Sequence, residues 1–346
     1  MKTINLKDGS ILELNKGYNI DCLELMKQLP DKSIGLIMAD PPYFEVKGDF
    51  DFVWDSFDDY LKDVEKWAME CKRILQDNGS LFWWGDARKI AYSQIILDKY
   101  FKLENSIVWR KTECQTRRMD FEIARRFAPV TERLLFYSND FEPSEWNQTG
   151  TERIKEEFLK PKNPFAIYMR EEFKKAKINN KEISKLFPSK TGGLTGCVSN
   201  WVNGDNIPTK EQYLKIREFL NNEYLREEYE DLREEYEDLR KEYEDLRRPF
   251  NNLTKLEDVI THSQESSESR KYEHETIKAV GLIKKLLTVT TRKETLVFIP
   301  FWGSGTDSSA CYELGLNWLA TETSDKHFLT ASNRQKDIEK QAILDF

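Results

Sequence analysis

The sequence predicts an α/β protein whose doubly wound, mainly parallel sheet is interrupted by a largely helical region. Two observations predict this fold class. Short apolar runs alternate with helical patterns over about the first 140 residues, and the alternation returns over about the last 70. We therefore divide the 346 residues into a first α/β part at 1–144, an inserted region at 145–272 and a second α/β part at 273–346.

The first part contains four apolar runs of strand length. The predicted strands are Ile34–Ala39, Ser80–Trp84, Ser106–Trp109 and Arg133–Tyr137. Between the first two, Tyr60–Leu75 carries apolar residues at helical spacing, which predicts a helix. Asp77-Asn78-Gly79 then predicts a turn into the next strand.

The inserted region contains short helical patterns interrupted by prolines. Asn180–Leu186 and Thr195–Val202 are two of them, and Thr209–Gln212 matches a capping box that opens a third helix. Short helices joined by a glycine turn resemble a helix-turn-helix, and a small helical domain without DNA contacts fits the pattern equally well. The polar stretch at 261–270 predicts a mobile linker.

A seven-residue repeat follows the third predicted helix. Its apolar positions are Leu225, Tyr229, Leu232, Tyr236, Leu239, Tyr243 and Leu246. This spacing is the a/d seam of a coiled coil, so we predict a heptad helix at 223–248 that continues from the third helix and ends at Pro249. Three arrangements stay open for it: pairing in a dimer, folding back as a helical hairpin, and standing as a solvated spacer.

Charge is unevenly distributed along the chain. The formal net charge is −8, but residues 223–248 hold twelve acids and six bases, so the rest is close to neutral. Residues 152–190 hold eleven bases and six acids, which predicts either a phosphate-facing surface or solvated helix faces. The five cysteines are scattered and the histidines number three, so we expect neither a metal site nor a disulfide framework. Without a signal segment or a long apolar run, we expect a cytoplasmic protein.

The stretch Asp40-Pro41-Pro42-Tyr43 follows the first predicted strand directly. Two prolines cannot continue a sheet, because each lacks an N–H group and has a fixed φ. The pattern therefore predicts a stiff loop at the carboxyl end of a strand, where open α/β sheets bind ligands. Its carboxylate, carbonyl groups and ring are suited to holding an exocyclic amine and stacking on the base that carries it.

A second motif lies in the last part of the chain. Strand Leu296–Pro300 leads into the glycine turn Phe301–Thr306, followed by helix Ser308–Leu314 and strand Leu316–Thr321. Such a turn lets a ligand approach the backbone and the helix N–H groups. Glu322, which ends the second strand, is placed to hold a ribose diol.

Together these two motifs resemble those of the DNA amino-methyltransferases. The signatures of that family are Asp-Pro-Pro-Tyr for catalysis and Phe-x-Gly-x-Gly for S-adenosylmethionine. Here the catalytic motif comes first, which resembles the circularly permuted β class of bacterial adenine-N6 enzymes, often found in restriction–modification systems. The chain departs from the family pattern at Ile299, where the family usually has an acid.

The resemblance implies a set of cofactor contacts. They are Asp21, Cys22, His274, Thr276, Lys278, Phe301, Gly303, Ser304, Gly305, Thr306 and Glu322. Among these, Asp21 would bind the adenine of the cofactor, and Thr276, Lys278 and Ser304 its methionine carboxylate. Thr131-Glu132 occupies the place where the family often has His-Glu.

The resemblance also implies the reaction and the partner. Asp40, Pro41, Pro42 and Tyr43 would act on an adenine flipped out of duplex DNA, with Tyr43 and Phe44 stacking on it. Trp83 and Trp84 are expected to pack in the sheet. Cytosine-N4 methylation is the alternative, and a catalytically dead DNA-binding or coiled-coil protein is a further one.

The basic residues predicted to contact DNA lie in two stretches. They are Arg117, Arg118, Lys174, Lys175, Lys177 and Lys190. The region 145–272 would recognise the target sequence. A homodimer and a cognate restriction endonuclease are the partners that we expect besides DNA.

Overall fold

The chain forms two compact units, one continuous and one built from two segments. A computed structural model describes residues 2–46, 49–112, 120, 122–125, 127–139, 155–265, 272 and 277–344. Unit 1 comprises Met1–Pro143 and Arg248–Phe346, and unit 2 comprises Ser144–Arg247. In these ranges no helix is long and apolar enough to cross a membrane.

Unit 1 is built on an eight-stranded sheet with the order β3-β10-β9-β4-β5-β7-β6-β8. The strands of unit 1 are β1 (Thr3–Asn5), β2 (Ile11–Glu13), β3 (Lys16–Tyr18), β4 (Ile34–Ala39), β5 (Leu75–Gly85), β6 (Lys102–Lys111), β7 (Thr131–Ser138), β8 (Val259–His262), β9 (Leu296–Ile299) and β10 (Asn317–Thr321). Only β7 runs antiparallel to its neighbours, and β1 and β2 form a separate pair. The sheet is therefore mainly parallel, which confirms the predicted fold class.

Helices cover both faces of this sheet. In unit 1 they are α1 (Cys22–Gln28), α2 (Phe57–Ile74), α3 (Ile90–Leu97), α10 (Val280–Thr290), α11 (Thr306–Glu313) and α12 (Asp325–Leu344). Alternate residues of β4 point to opposite faces: Ile37 packs in the core cluster that includes residues of α1 to α3, and Met38 in the cluster that includes α10 and α11. Both residues are fully buried, so both faces of β4 are covered. Central strands of doubly wound sheets are apolar throughout for this reason.

Unit 2 is helical. After a π-helical segment at Lys155–Leu159 its helices are α4 (Lys160–Lys162), α5 (Pro164–Lys175), α6 (Asn180–Ser184), α7 (Cys197–Asn203), α8 (Lys210–Phe219) and α9 (Tyr229–Leu246). The capping box that opens α8 is confirmed, since the Thr209 side chain accepts from the Gln212 N–H and the Gln212 side chain accepts from the Thr209 N–H. The third predicted helix does not run into the repeat, because Asn221 and Asn222 have positive φ and reverse the chain after α8.

One predicted turn in unit 1 is wrong. Asp77-Asn78-Gly79 is not a turn but part of β5, at an irregularity in its pairing with β4. The Asn139 side-chain amide donates to the carbonyls of Leu75 and Gln76, which holds the backbone extended there. The prediction of a turn from the polar residues of this segment was therefore wrong.

The inserted region also ends earlier than predicted. We expected it to reach residue 272, but the chain returns to unit 1 at Arg248. The predicted linker at 261–270 begins inside β8, which pairs in parallel with β6. Only Ile260 of this edge strand is buried, so its sequence lacks the apolar alternation that identifies a strand.

The heptad repeat packs mainly inside unit 2. Leu225, Tyr229 and Leu232 are buried in its hydrophobic core, and Tyr236 packs against that core, whereas Leu246 is 46% exposed. Of the three arrangements considered, folding back describes the first part of the repeat. These residues therefore do not provide a free seam for a dimer.

The heptad leucines should differ in their contribution to stability. Leu225→Ala removes a fully buried side chain, so we expect it to lower the free energy of unfolding by about 2–5 kcal/mol. Leu246→Ala, the matched control at an exposed heptad position, should change it by about 1 kcal/mol or less. Urea denaturation of both variants measures the difference, and equal losses would argue for a coiled-coil seam that buries both leucines.

Candidate active site

The Asp40–Tyr43 loop leaves β4 at the carboxyl edge of the sheet. Tyr43 donates its backbone N–H to Oδ1 of the buried Asp51, 2.6 Å away, which fixes the loop. Phe44 has a φ of 54° and its ring packs in the hydrophobic core against Phe57. The expectation that Phe44 stacks on a base is therefore wrong, because its ring is already buried.

Asp40 is held by a buried lysine. Lys278 Nζ lies 2.6 Å from Asp40 Oδ2 and 3.2 Å from the Tyr43 hydroxyl, and that hydroxyl donates to Asp40 Oδ1. The same ammonium lies 3.3 Å from Oε2 of Glu132, at the start of β7. Glu132 also pairs with Lys111 at the end of β6. The result is a row of alternating charges that ends at Asp40.

The charges in this row stabilise one another. Burial disfavours the charge on Lys278, but Asp40 and Glu132 outweigh burial and raise its pKa above the usual range. Burial also disfavours the charge on Glu132, but the effect of Lys278 and Lys111 is larger than that of burial, so the pKa of Glu132 is lowered. Burial and the nearby Asp40 raise the pKa of Tyr43. At neutral pH the row therefore contains charged Lys278, charged Glu132 and a neutral Tyr43 hydroxyl.

The glycine turn lies between β9 and α11, beside the Asp40 loop. Gly303 and Gly305 have φ of 52° and 74°, a region that side chains rarely adopt. Both carboxylate oxygens of Glu322 accept backbone N–H groups, from Gly303 and Ser324, at 2.9 Å each. Because β4, β9 and β10 are parallel neighbours, their carboxyl ends bring Asp40, the turn and Glu322 to one edge.

One cavity joins the two motifs. The sequence-predicted residues that line it are Asp40, Pro41, Pro42, Tyr43, Lys278, Phe301, Gly303, Ser304, Thr306 and Glu322. Sequence reasoning missed further lining residues, namely Phe50, Asp51, Trp302, Asp307, Thr323, Ser324 and His327. Of these, Trp302 belongs to the glycine motif and Asp307 follows it directly, so the motif could have identified both. Phe50 and His327 belong to no recognisable sequence motif. Gly305 contributes its backbone conformation to the turn.

Other predicted cofactor residues have structural roles elsewhere. Asp21 caps α1, its carboxylate accepting the Leu23 N–H at 2.8 Å. Cys22 is buried in the hydrophobic core, where burial raises the pKa of its thiol. His274 and Thr276 lie outside the described residues. Trp83 and Trp84 are buried on opposite faces of the sheet, as expected.

The predicted DNA contacts are exposed where the structure describes them. Lys174, Lys175, Lys177 and Lys190 all lie on the surface of unit 2. Lys175 is paired with Glu172 at 2.7 Å, so part of its charge is balanced within the chain. Arg117 and Arg118 lie outside the described residues.

Two known methyltransferases are similar to this chain in sequence. The chain is 24% identical over 333 residues to the type II methyltransferase M.BamHI of Bacillus amyloliquefaciens, covering 96% of this chain and 60% of that protein. It is 30% identical over 251 residues to the type II methyltransferase M.HinfI of Haemophilus influenzae, covering 59% of this chain and 67% of that one. This chain thus spans less than two thirds of the length of M.BamHI.

A solved structure shows the same fold. The PvuII DNA methyltransferase, described as cytosine-N4-specific, superposes with a TM-score of 0.52 at 11% identity, covering 94% of this chain and 90% of that one. The sequence pattern of the N6/N4 DNA methylases matches residues 34–333. That match takes in both motifs and most of the chain, which therefore belongs to the N6/N4 DNA methylase family.

Proposed function

We propose that this protein is a DNA methyltransferase that transfers a methyl group from S-adenosylmethionine to N6 of adenine in duplex DNA. The observation that carries the proposal is the single cavity lined by both the Asp40–Tyr43 loop and the Phe301–Thr306 turn. Membership of the DNA methylase family supports the reaction type. The two motifs are far apart in sequence, so their meeting in one cavity gives donor and acceptor a common site.

The cofactor-facing half of the cavity fits the chemistry of S-adenosylmethionine, which supplies a methyl group on a sulfonium. Each Glu322 oxygen accepts one backbone N–H and keeps a second lone pair that can accept a ribose hydroxyl. Gly303 lets the ligand approach the backbone, and Phe301 offers a ring beside it. Ser304 and Thr306 add hydroxyl groups to the same wall.

The catalytic half fits an exocyclic amine. The lone pair of adenine N6 is delocalised into the ring, so the nitrogen attacks only when its developing positive charge is stabilised. Asp40 and the Pro41 carbonyl accept the two amine hydrogens. The nitrogen forms a bond to the methyl carbon as the carbon–sulfur bond breaks and S-adenosylhomocysteine leaves, and the nitrogen then releases one proton to solvent.

Stacking of Tyr43 on a base requires a rearrangement at Asp40. In this structure the Tyr43 hydroxyl and the Lys278 ammonium occupy its two oxygens. When the ring turns to stack on the flipped base, which recovers about 1–3 kcal/mol, the Tyr43 hydroxyl leaves Asp40 Oδ1 and that oxygen is free to accept the amine. Lys278 remains in place and keeps the carboxylate oriented.

Cytosine-N4 methylation is the second candidate, because the family includes both reactions. Asp40 favours adenine, since cytosine-N4 enzymes more often carry serine at this position. We also propose that the protein works beside a restriction endonuclease, because both relatives are named type II methyltransferases. That association is independent of the choice of base.

Product analysis tests the proposed reaction. We expect duplex DNA incubated with the protein and methyl-labelled S-adenosylmethionine to yield N6-methyladenine when it is digested to nucleosides and analysed by mass. DNA incubated with the protein and unlabelled S-adenosylhomocysteine is the control. N4-methylcytosine as the labelled product would establish the second candidate, and an absence of label would contradict both.

We further propose that unit 2 recognises the DNA target through its exposed lysines. Each lysine that contacts a phosphate releases counterions and adds about 0.9 to the slope of log affinity against log salt. The double variant Lys174→Gln with Lys177→Gln should therefore reduce this slope by roughly 2. The matched control, Arg240→Gln with Lys241→Gln on acidic α9, should leave it unchanged. Fluorescence anisotropy over a salt series measures both, and equal slopes would place the DNA surface elsewhere.

A further inference from the structure

Asp307, the second residue of α11, differs from the other acids of the cavity. It is only 7% exposed, and among the described residues no group donates a hydrogen bond to its buried Oδ1. Asp40, Asp51 and Glu322 each accept hydrogen bonds from the protein. A buried carboxyl oxygen without a donor is unfavourable, so the cavity contains an acceptor that a ligand can satisfy.

The nearby cations are bonded to other groups. Lys278 is paired with Asp40 and Glu132. Arg334, itself buried, donates to Thr306 Oγ1 at 3.0 Å and pairs with Glu265 at 3.1 Å. Both cations favour a charged Asp307 through space, yet neither donates a hydrogen bond to it. The described residues therefore supply no donor to this oxygen, and Asp307 lines the cavity in which a ligand can supply one.

We propose that Asp307 binds the α-ammonium group of the amino-acid portion of S-adenosylmethionine. This inference rests on the proposed function. The cofactor carries two positive groups, but only the ammonium has N–H donors, and a donor is what the Asp307 oxygen lacks. The position of Asp307 at the start of α11, directly after the glycine turn, puts it on the cofactor-facing side of the cavity.

Calorimetry with three ligands tests this assignment. The ligands are S-adenosylmethionine, S-adenosylhomocysteine, which keeps the ammonium and lacks the sulfonium, and methylthioadenosine, which lacks the amino-acid portion. Asp307→Asn should weaken binding of the first two by at least about tenfold and change binding of the third by less than about twofold. Asp77→Asn, at an exposed acid, is the matched control and should bind all three as the wild type does.

The other possible results of this calorimetry each contradict a specific claim. If Asp307→Asn binds the first two ligands as the wild type does, Asp307 does not contact the cofactor. If only the sulfonium ligand is weakened, the ammonium is not its partner, and if all three are weakened equally, the residue has a structural role. A wild-type protein that binds none of the three contradicts the proposed function itself.

The pH dependence of binding provides an independent readout. Burial and the nearby Asp40 raise the pKa of Asp307 to about 7, against the opposing effect of Lys278 and Arg334. Protonation removes the charge that the ammonium needs, so wild-type affinity for S-adenosylhomocysteine should fall by up to about tenfold from pH 8 to pH 6. Asp307→Asn should show a flat profile, while His327→Gln, which removes the imidazole of the cavity and leaves Glu322 and Asp40 in place, should keep the wild-type slope. A loss of affinity of the same size in Asp307→Asn and in the wild type overturns the inference.

Discussion

Replacing Asp40 with asparagine is expected to lower the rate of methyl transfer by about 100- to 1,000-fold or more. The amide keeps the shape of the carboxylate, but one oxygen becomes an NH₂ donor and the negative charge is lost. The amine that develops positive charge then meets a weaker acceptor. Binding of S-adenosylmethionine should change by less than about threefold, because Glu322 and the glycine turn are unaltered.

Single-turnover transfer of labelled methyl to duplex DNA measures the first effect, and calorimetry with S-adenosylmethionine measures the second. Asp77→Asn, with its exposed ion pair to Lys32, is the matched control for loss of one aspartate charge and should keep wild-type rates. A transfer rate within tenfold of wild type in Asp40→Asn would contradict the catalytic assignment of Asp40.

Lys278→Met is expected to have the second-largest effect, on stability as well as on rate. The change leaves the carboxylates of Asp40 and Glu132 without their shared ammonium in a buried site. Loss of one partner of a buried pair typically costs about 3–5 kcal/mol. The loss should be largest near neutral pH and should shrink as the pH falls toward 5, because without Lys278 burial raises the pKa of Glu132 and protonation removes its negative charge.

Lys284→Met provides the matched comparison. Lys284 is paired with Glu313 at 2.7 Å, but both side chains are more than a third exposed, so its loss should cost about 1 kcal/mol or less. Urea unfolding of both variants at pH 7.5 and pH 5 measures the contrast. Similar losses for the two variants would show that the buried row of charges does not stabilise the fold.

The central strands and the two motifs were predictable because their signals are local. β4 is an unbroken apolar run that ends in Asp40, and the glycine turn contains the residues that its positive φ angles need. A parallel sheet then places the ends of such strands along one edge, so the shared cavity follows from the fold class.

Features that depend on distant partners could not be predicted in the same way. Lys278 was expected to face the cofactor, and nothing near it in sequence shows that Asp40 and Glu132 are its partners. Little of the edge strand β8 is buried, so its polar sequence gave no strand signal, and the repeat itself does not show that Leu225 and Leu232 pack in the core of unit 2. Asp307 adjoins the glycine motif, but the sequence does not show that its buried Oδ1 accepts no hydrogen bond from the described residues.

The parallel pairing of β4 with β9 has a consequence for biosynthesis. Leu36 pairs with Val297, which lies 261 positions (297 − 36) further along the chain. At about 5–20 residues per second, a ribosome takes roughly 13–50 s to add that many residues. During that interval the apolar strand Ile34–Ala39 has one edge unpaired, a state that invites association between nascent chains. Slower initiation or a lower growth temperature should therefore raise the yield of folded protein more than a stronger promoter does.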